Sequence, residues 1–144
     1  MATVNVYLTF DGNCEEAFEF YKSAFGGKYK DLNRFGEMPA QEGMPALSEE
    51  MQNKIMHVNL PISSETILMG SDSMPGMGPK IVMGNNFSLS LGVNSTDEAD
   101  KLCAALSEGG NVTMPLELTF WGAYFGMWTD KFGINWMINY DLPK

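Results

Sequence analysis

The feature that most constrains the fold is a strand-and-helix pattern that occurs twice in the chain. Residues 4–10 (VNVYLTF) and 87–93 (FSLSLGV) both alternate apolar and other side chains, as half-buried strands do. Each is followed by a helical stripe of apolar residues, and the stripes end at Gly26 and Gly109. The two strands and the two glycines are each separated by 83 residues. This agreement predicts an internal duplication.

Both predicted helices begin with a polar residue that can accept a hydrogen bond from the first turn. Asn13 is followed three residues later by Glu16, which resembles a capping box with Asn in place of Ser or Thr. Ser95 and Glu98 have the same spacing in the second half. We therefore expect Asn13 and Ser95 to cap the two helices.

Each helix is followed by enough chain for three more strands. We predict them near 28–33, 54–62 and 66–69 in the first half, and near 111–120, 122–129 and 135–140 in the second. Asp130–Gly133 (DKFG) is a predicted turn between the last two. The result is an α+β fold with two tandem βαβββ modules, over 1–84 and 85–144, forming a cupped, incomplete barrel. Ligands commonly bind in mouths of this kind.

Composition narrows the classes of partner. The chain has 144 residues, the size of one domain, and carries nine basic and eighteen acidic residues for a formal charge of −9. That charge opposes binding to nucleic acid or anionic lipid. No apolar run approaches the ~20 residues that span a bilayer, and no signal peptide is evident, so we expect a cytoplasmic protein. Cys14 and Cys103 lie on apolar helix faces, which indicates buried thiols.

Several segments together resemble the vicinal oxygen chelate superfamily, which includes glyoxalase I, extradiol dioxygenases and bleomycin- and fosfomycin-resistance proteins. The chain is most similar to the PhnB-like branch. The matching segments are YLTFDGNCEEAFEFYKSAFGG at 7–27, FGEMP at 35–39, IMHVNL at 55–60, MGSD at 69–72 and TFWGAYFGMWTDKFGINWMIN at 119–139. The resemblance implies paired βαβββ modules around a shared cleft, and commonly a homodimer.

The resemblance also implies where a metal would bind. Members with a metal usually take His and Glu ligands from the first and last strand of each module. In this chain the corresponding strands offer other side chains: Asn5, Tyr7, Thr9, Met69, Ser88, Ser90 and Met137. Divalent metals need nitrogen or carboxylate donors there. We therefore predict no metal and no other cofactor.

The C-terminal segment FWGAYFGMWTDKFGINWMINYD, residues 120–141, contains all three tryptophans. Alternation predicts Trp121, Ala123, Phe125 and Met127 on one face of a strand and Phe120, Gly122, Tyr124 and Trp128 on the other. Most of these aromatics would form core. The alternative is that some form an apolar wall for a small ligand, and our candidate ligand-binding residues are Tyr7, Ser88, Ser90, Trp121, Tyr124, Phe125 and Trp128.

His57, the single histidine, has two interpretations. It can be hydrogen-bonded within the sheet, or it can act in the cleft as a general base or ligand-orienting donor with Glu37 or Asp72 nearby. Each carboxylate can instead be a helix cap or turn former. The segments 34–53 and 70–86, rich in Met, Gly and Pro, are predicted to be loops that act as lids or partner-binding segments, or simply surface.

Three functions are compatible with these features. The first is a protein that binds a small apolar or aromatic molecule without the superfamily metal. The second is a glyoxalase-like lyase, isomerase or transferase that uses His57 with a carboxylate or an atypical metal. The third is an interaction protein whose cleft is filled by its own side chains. We favour the first, with a homodimer as the expected assembly.

Overall fold

The structure is a computed structural model that describes residues 2–38, 43, 46–74 and 78–143. The chain divides into two compact units, Met1–Ile81 and Val82–Lys144. Each unit has a four-stranded mixed sheet and one 12-residue helix.

In the first unit the elements are β1 (Val6–Phe10), α1 (Cys14–Phe25), β2 (Asp31–Arg34), the short helix α2 (Glu49–Gln52), β3 (Ile55–Pro61) and β4 (Ile67–Asp72). In the second unit they are β5 (Leu89–Gly92), α3 (Thr96–Ser107), β6 (Asn111–Leu118), β7 (Ala123–Thr129) and β8 (Asn135–Asp141). The strand orders are β1-β4-β3-β2 and β5-β8-β7-β6. In both sheets the first strand pairs in parallel with the last, and the other pairs are antiparallel.

The predicted α+β class with two βαβββ modules is confirmed, because both units have the order strand, 12-residue helix and three strands, with α2 added in the first, and the same strand order in the sheet. Two loop predictions were wrong in part. Residues 70–72 continue β4, since they pair with β1 through Phe10, and α2 lies within the predicted loop 34–53. The parts of both loops at 39–42, 44–45 and 75–77 lie outside the described residues.

The core of the first unit lies between its sheet and α1. The buried side chains of the helix are Cys14, Ala17, Phe18 and Tyr21, and those of the sheet include Val58, Leu60 and Leu68. Gly70 lets the helix approach closely, because a Cβ there would lie 2.7 Å from the Phe18 ring and 2.8 Å from the Leu8 carbonyl oxygen.

In the second unit, two tryptophans from neighbouring strands form the centre of the core. Trp128 and Trp136 are opposite each other on β7 and β8, and their rings stack with a centroid distance of 6.3 Å. Trp136 Nε1 donates to Asp130 Oδ2 at 2.8 Å, and Asp130 Oδ1 accepts from the backbone N–H groups of Phe132 and Ile134. Asp130 thus fixes the predicted turn 130–133, which is confirmed by the hydrogen bond from Gly133 N to Asp130 O.

The two helix starts differ from each other. Ser95 caps α3 as predicted, since its Oγ accepts from Glu98 N at 3.0 Å. The prediction for Asn13 was wrong, because its side chain makes no cap hydrogen bond. Instead Asp72, at the end of β4, accepts from Cys14 N at 2.9 Å. A charged acceptor from a distant strand replaces the local cap, and sequence spacing carries no signal for it.

Candidate functional site

The orientation of the first sheet follows from one glycine. Val58 is opposite Gly70, whose missing Cβ points at Phe18 of α1. Val58 and Gly70 therefore face the helix. Side chains alternate along a strand, so Asn59 and Met69 point away from α1. We call this side of the first sheet the distal face.

Four residues form a row across the distal face, one from each strand. Tyr7 is opposite Met69, Met69 is opposite Asn59, and Asn59 is opposite Asp31. Neighbouring strands lie about 4.8 Å apart, so adjacent members of the row are within side-chain contact range. The row changes in character from an aromatic ring, through a thioether, to an amide and a carboxylate.

Asn59 is the least satisfied member of this row. Its side chain is 9% exposed, and its Oδ1 has no hydrogen-bond partner among the described residues. A buried polar atom without a partner costs about 1–3 kcal/mol. Such an atom on the distal face marks a place where a hydrogen-bond donor from outside the protein would be stabilised.

Tyr7 and His57 lie beside Asn59 on the same face. The centroids of their rings are 6.0 Å apart with an interplanar angle of 30°. Tyr7 is 48% exposed, and His57 is half-buried and opposite Asn33 on β2. The two rings form a partly accessible aromatic surface next to the unpaired acceptor.

The structure does not bring the candidate acid–base residues together. Asp72 is opposite Phe10 on the side facing α1, is 3% exposed, and accepts from Cys14 N and Ile55 N at 2.9 Å each. His57 points to the distal face. Glu37 is exposed and accepts from the backbone N–H of Arg34 in a 3₁₀ turn. The contacts of both carboxylates match the alternative interpretation as a cap and a turn former.

A cavity of about 210 Å³ lies beside the start of α1 and is lined by Gly12, Glu15, Lys54 and Asp72 among others. Several of its polar groups already have partners within the protein. Lys54 Nζ donates to Gly12 O at 2.8 Å, and Glu15 pairs with Arg34, whose hydrogen bond lowers the pKa of the Glu15 carboxyl. The distal face is therefore the stronger candidate for ligand binding.

The candidate residues of the second unit fall on different sides of its sheet. Tyr124 donates its hydroxyl to Asp100 of α3 at 2.5 Å, and this bond raises the tyrosine pKa. Trp128 lies four residues after Tyr124 on β7 and therefore on the same face of the strand, where it is 1% exposed in the core. Tyr124 and Trp128 thus face α3, whereas Phe125 faces away from it.

The remaining candidates of the second unit lie outside the core. Trp121 is 56% exposed, and its ring centroid is 6.0 Å from that of Phe125. Ser90 is exposed and opposite Met137, and Ser88 precedes β5. The role of each in ligand binding stays a prediction.

Sequence reasoning missed Asn59 and Asp31 as site residues. Both are short polar residues in strands, a pattern that equally fits a solvated sheet surface. What distinguishes Asn59 is that its Oδ1 is buried away from solvent and accepts no hydrogen bond from the described residues. That signal depends on the register between β3 and β4, which the sequence does not contain.

The residues present do not fit the metal site implied by the resemblance. At the positions that correspond to the metal ligands of the superfamily, the first and last strands hold Tyr7 and Met69 in one unit and Ser90 and Met137 in the other. Within the described ranges, no three His, Cys, Asp or Glu side chains are placed to hold a metal ion together. The donor set lacks the imidazole and carboxylate groups that divalent ions require.

Comparison with known proteins agrees with this fold. The profile of the glyoxalase/bleomycin resistance protein/dioxygenase superfamily matches residues 3–138. The chain belongs to this superfamily. It is 36% identical over 138 residues to protein YjdN of Escherichia coli K12, with 92% of this chain and 91% of YjdN covered.

Two solved structures are also similar. Protein PA1353 of Pseudomonas aeruginosa has a TM-score of 0.82 and 40% identity, covering 99% of this chain and 100% of its own. A PhnB protein from Bacillus cereus, described as a putative 3-demethylubiquinone-9 3-methyltransferase, has a TM-score of 0.73 and 23% identity, covering 96% and 99%. The second likeness shows the fold alone. Within the part of the chain that the structure describes, none of the helices has the length and apolar character needed to cross a bilayer.

Proposed function

We propose that this superfamily member binds a small molecule with an aromatic or apolar part on the distal face of its first sheet, without a metal. The observation that carries the proposal is the buried, unpaired Oδ1 of Asn59 beside the accessible ring of Tyr7. A ligand that donates to Asn59 removes the cost of the orphan acceptor, and a ring on Tyr7 adds stacking.

Tyr7 is the residue to change in a test, because it is half exposed and its removal leaves the core intact. A library of small aromatic compounds with hydrogen-bond donors is screened by calorimetry, and each hit is measured on Tyr7→Ala. Loss of a good aromatic pair is worth about 0.5–1.5 kcal/mol, so we expect roughly two- to tenfold weaker binding. Tyr29→Ala is the matched control, since the Tyr29 hydroxyl donates to Glu19 and the Lys22 ammonium lies over the Tyr29 ring, so that both contacts are to α1.

Two results would contradict the proposal. One is a library without any hit at millimolar concentration. The other is a set of hits whose affinities fall as much in Tyr29→Ala as in Tyr7→Ala. Metal content completes the test: protein incubated with zinc, nickel, manganese or ferrous iron and then dialysed is expected to retain less than one ion per chain.

We do not propose acid–base catalysis by His57 with Asp72 or Glu37, because Asp72 lies on the other side of the sheet and Glu37 is engaged by Arg34. One measurement would restore the enzyme alternative: turnover of any glyoxalase-type substrate that disappears in His57→Ala.

We also propose that the chain forms a homodimer through an apolar surface of the second unit. Leu118, Phe120 and Trp121 are 67%, 97% and 56% exposed. Exposed apolar patches of this kind mark interaction surfaces. Sedimentation analysis should show a dimer for the wild type and for Val4→Ser, whose side chain is equally exposed in the first unit, and a weaker dimer for Phe120→Ser. Monomers at every concentration would refute this part.

A further inference from the structure

We infer that the ligand of the distal face is a small amphiphilic amine, with an aromatic or apolar body and a protonated nitrogen. The inference rests on the proposed binding function and specifies its ligand class. Its basis is the row Tyr7–Met69–Asn59–Asp31, which has one apolar end and one end made of hydrogen-bond acceptors.

The acceptor end selects a donor. Asn59 Oδ1 is an unpaired acceptor, and the carboxylate oxygens of Asp31 are acceptors as well. An ammonium group has three donors and no acceptor, so it can bond to both residues at once. A carboxylate ligand would place two negative charges together. A hydroxyl has a single O–H donor, so it could bond to only one of the two acceptors.

The apolar end selects a ring or a flexible chain. Tyr7 is aromatic and 48% exposed, and the Met69 thioether between Tyr7 and Asn59 adapts to irregular shapes. Cations also bind favourably over tyrosine faces. With a strand spacing of about 4.8 Å, Asn59 lies one spacing from Met69 and about 10 Å from Tyr7. A ring joined to an amine by two or three carbon atoms matches this span.

The charges around the row agree with the inference. On the described strands of the first sheet, the ionisable side chains directed to the distal face are those of Asp31, Tyr7 and His57. Arg34 lies at the end of β2 and is engaged by Glu15. The chain as a whole carries a formal charge of −9, which attracts cations.

The corresponding row of the second sheet does not provide the same recognition. It consists of Ser90, Met137, Met127 and Met114. None of these side chains is charged, and three are thioethers. An ammonium group has no carboxylate to bind in this row, so the preference for amines should depend on the first unit.

The test uses triplets of probes that share a ring and a chain length and differ in the head group. One triplet is 2-phenylethylamine, 2-phenylethanol and 3-phenylpropionate, and indolyl and naphthyl triplets extend the series. Affinities are measured by calorimetry at pH 7 and low salt. We expect each amine to bind at least about fivefold more tightly than its alcohol, and each carboxylate to bind more weakly than the alcohol.

Asp31→Asn is the decisive variant, because Asp31 is exposed and its replacement does not disturb the core. We expect the amine-to-alcohol ratio to fall toward one, while Asp11→Asn, exposed in the loop before α1, leaves the ratio unchanged. A salt titration gives a second readout, since only the amine should lose affinity with ionic strength.

Each outcome separates the two proposals. Alcohols or carboxylates that bind as well as amines, with affinities still lowered in Tyr7→Ala, would overturn the amine inference and leave the binding function intact. An amine preference that survives in Asp31→Asn would also overturn it. Absence of binding by every aromatic compound tested would overturn both.

Discussion

Replacement of Asp72 by alanine should destabilise the first unit. Asp72 Oδ1 and Oδ2 accept from the N–H groups of Cys14 and Ile55, each at 2.9 Å and each in a buried setting. Asp72→Ala leaves two buried donors without a partner. At about 1–3 kcal/mol for each, the free energy of unfolding should fall by about 2–6 kcal/mol. Asp72→Asn keeps one acceptor oxygen and should lose roughly half as much.

Two assays separate this effect from a general loss of stability. Urea unfolding followed by far-UV circular dichroism gives the free energy, and hydrogen exchange gives the protection of the Cys14 and Ile55 amides individually. Tryptophan fluorescence is unsuitable for this unit, because Trp121, Trp128 and Trp136 all belong to the second.

Asp11→Ala is the control, since Asp11 is exposed in the same β1–α1 connection. It should change the free energy of unfolding by less than about 0.5 kcal/mol. The reasoning is refuted if Asp72→Ala is as stable as this control, or if the Cys14 and Ile55 amides remain equally protected.

Three further predictions follow from the helix caps, the ion pair and the thiols. Ser95→Ala should cost about 1 kcal/mol in urea unfolding, whereas Asn13→Ala, without a cap hydrogen bond, should cost less than about 0.5 kcal/mol; equal costs would contradict this. The hydrogen bond from Arg34 lowers the pKa of Glu15, so its contribution is present above the carboxyl's unfolded pKa and is lost as pH falls through the lower folded value. Arg34 also donates to Asn53 O at 2.8 Å, a bond that Arg34→Gln removes at every pH. Because the pair with Glu15 is partly exposed, Arg34→Gln should cost at most about 1 kcal/mol more at pH 7 than at pH 2, as urea unfolding at both pH values can show; an equal loss at both pH values would argue against the pair. Burial raises the pKa of the Cys14 thiol, so iodoacetamide at pH 8 should leave Cys14 unmodified in the native protein and modify it in urea; rapid native modification would show that the helix start is open.

Much of the fold could be predicted because its strands and helices carry strong local patterns. The alternation in 4–10 and the stripe from Cys14 to Phe25 each reflect one buried face, and the structure places β1 and α1 there. The cap of α1 could not be predicted, because the acceptor comes from Asp72, 58 residues away in the chain. The extension of β4 through Gly70 was missed for a related reason, since glycine is required there by the close approach of the Phe18 ring and the Leu8 carbonyl oxygen.

The candidate site was less accessible to sequence reasoning. Tyr7 and His57 could be chosen for their chemistry, and the structure places their rings 6.0 Å apart. Asn59 and Asp31 can be recognised as site residues only once the pairing of β2, β3 and β4 places them side by side on one face. Trp128 shows the opposite case. It was chosen as part of an aromatic wall, but its position opposite Trp136 places it in the core.

The most direct test of the binding site is a nuclear magnetic resonance titration of labelled protein with 2-phenylethylamine. His57 is the single histidine, so its imidazole signal is unambiguous, and the side-chain amide of Asn59 reports the unpaired acceptor. We predict saturable shifts at Tyr7, His57, Asn59 and Met69, with smaller changes elsewhere. Shifts confined to residues 82–143, or no saturable shift for this or any other aromatic probe, would contradict the assignment of the ligand site to the distal face of the first sheet.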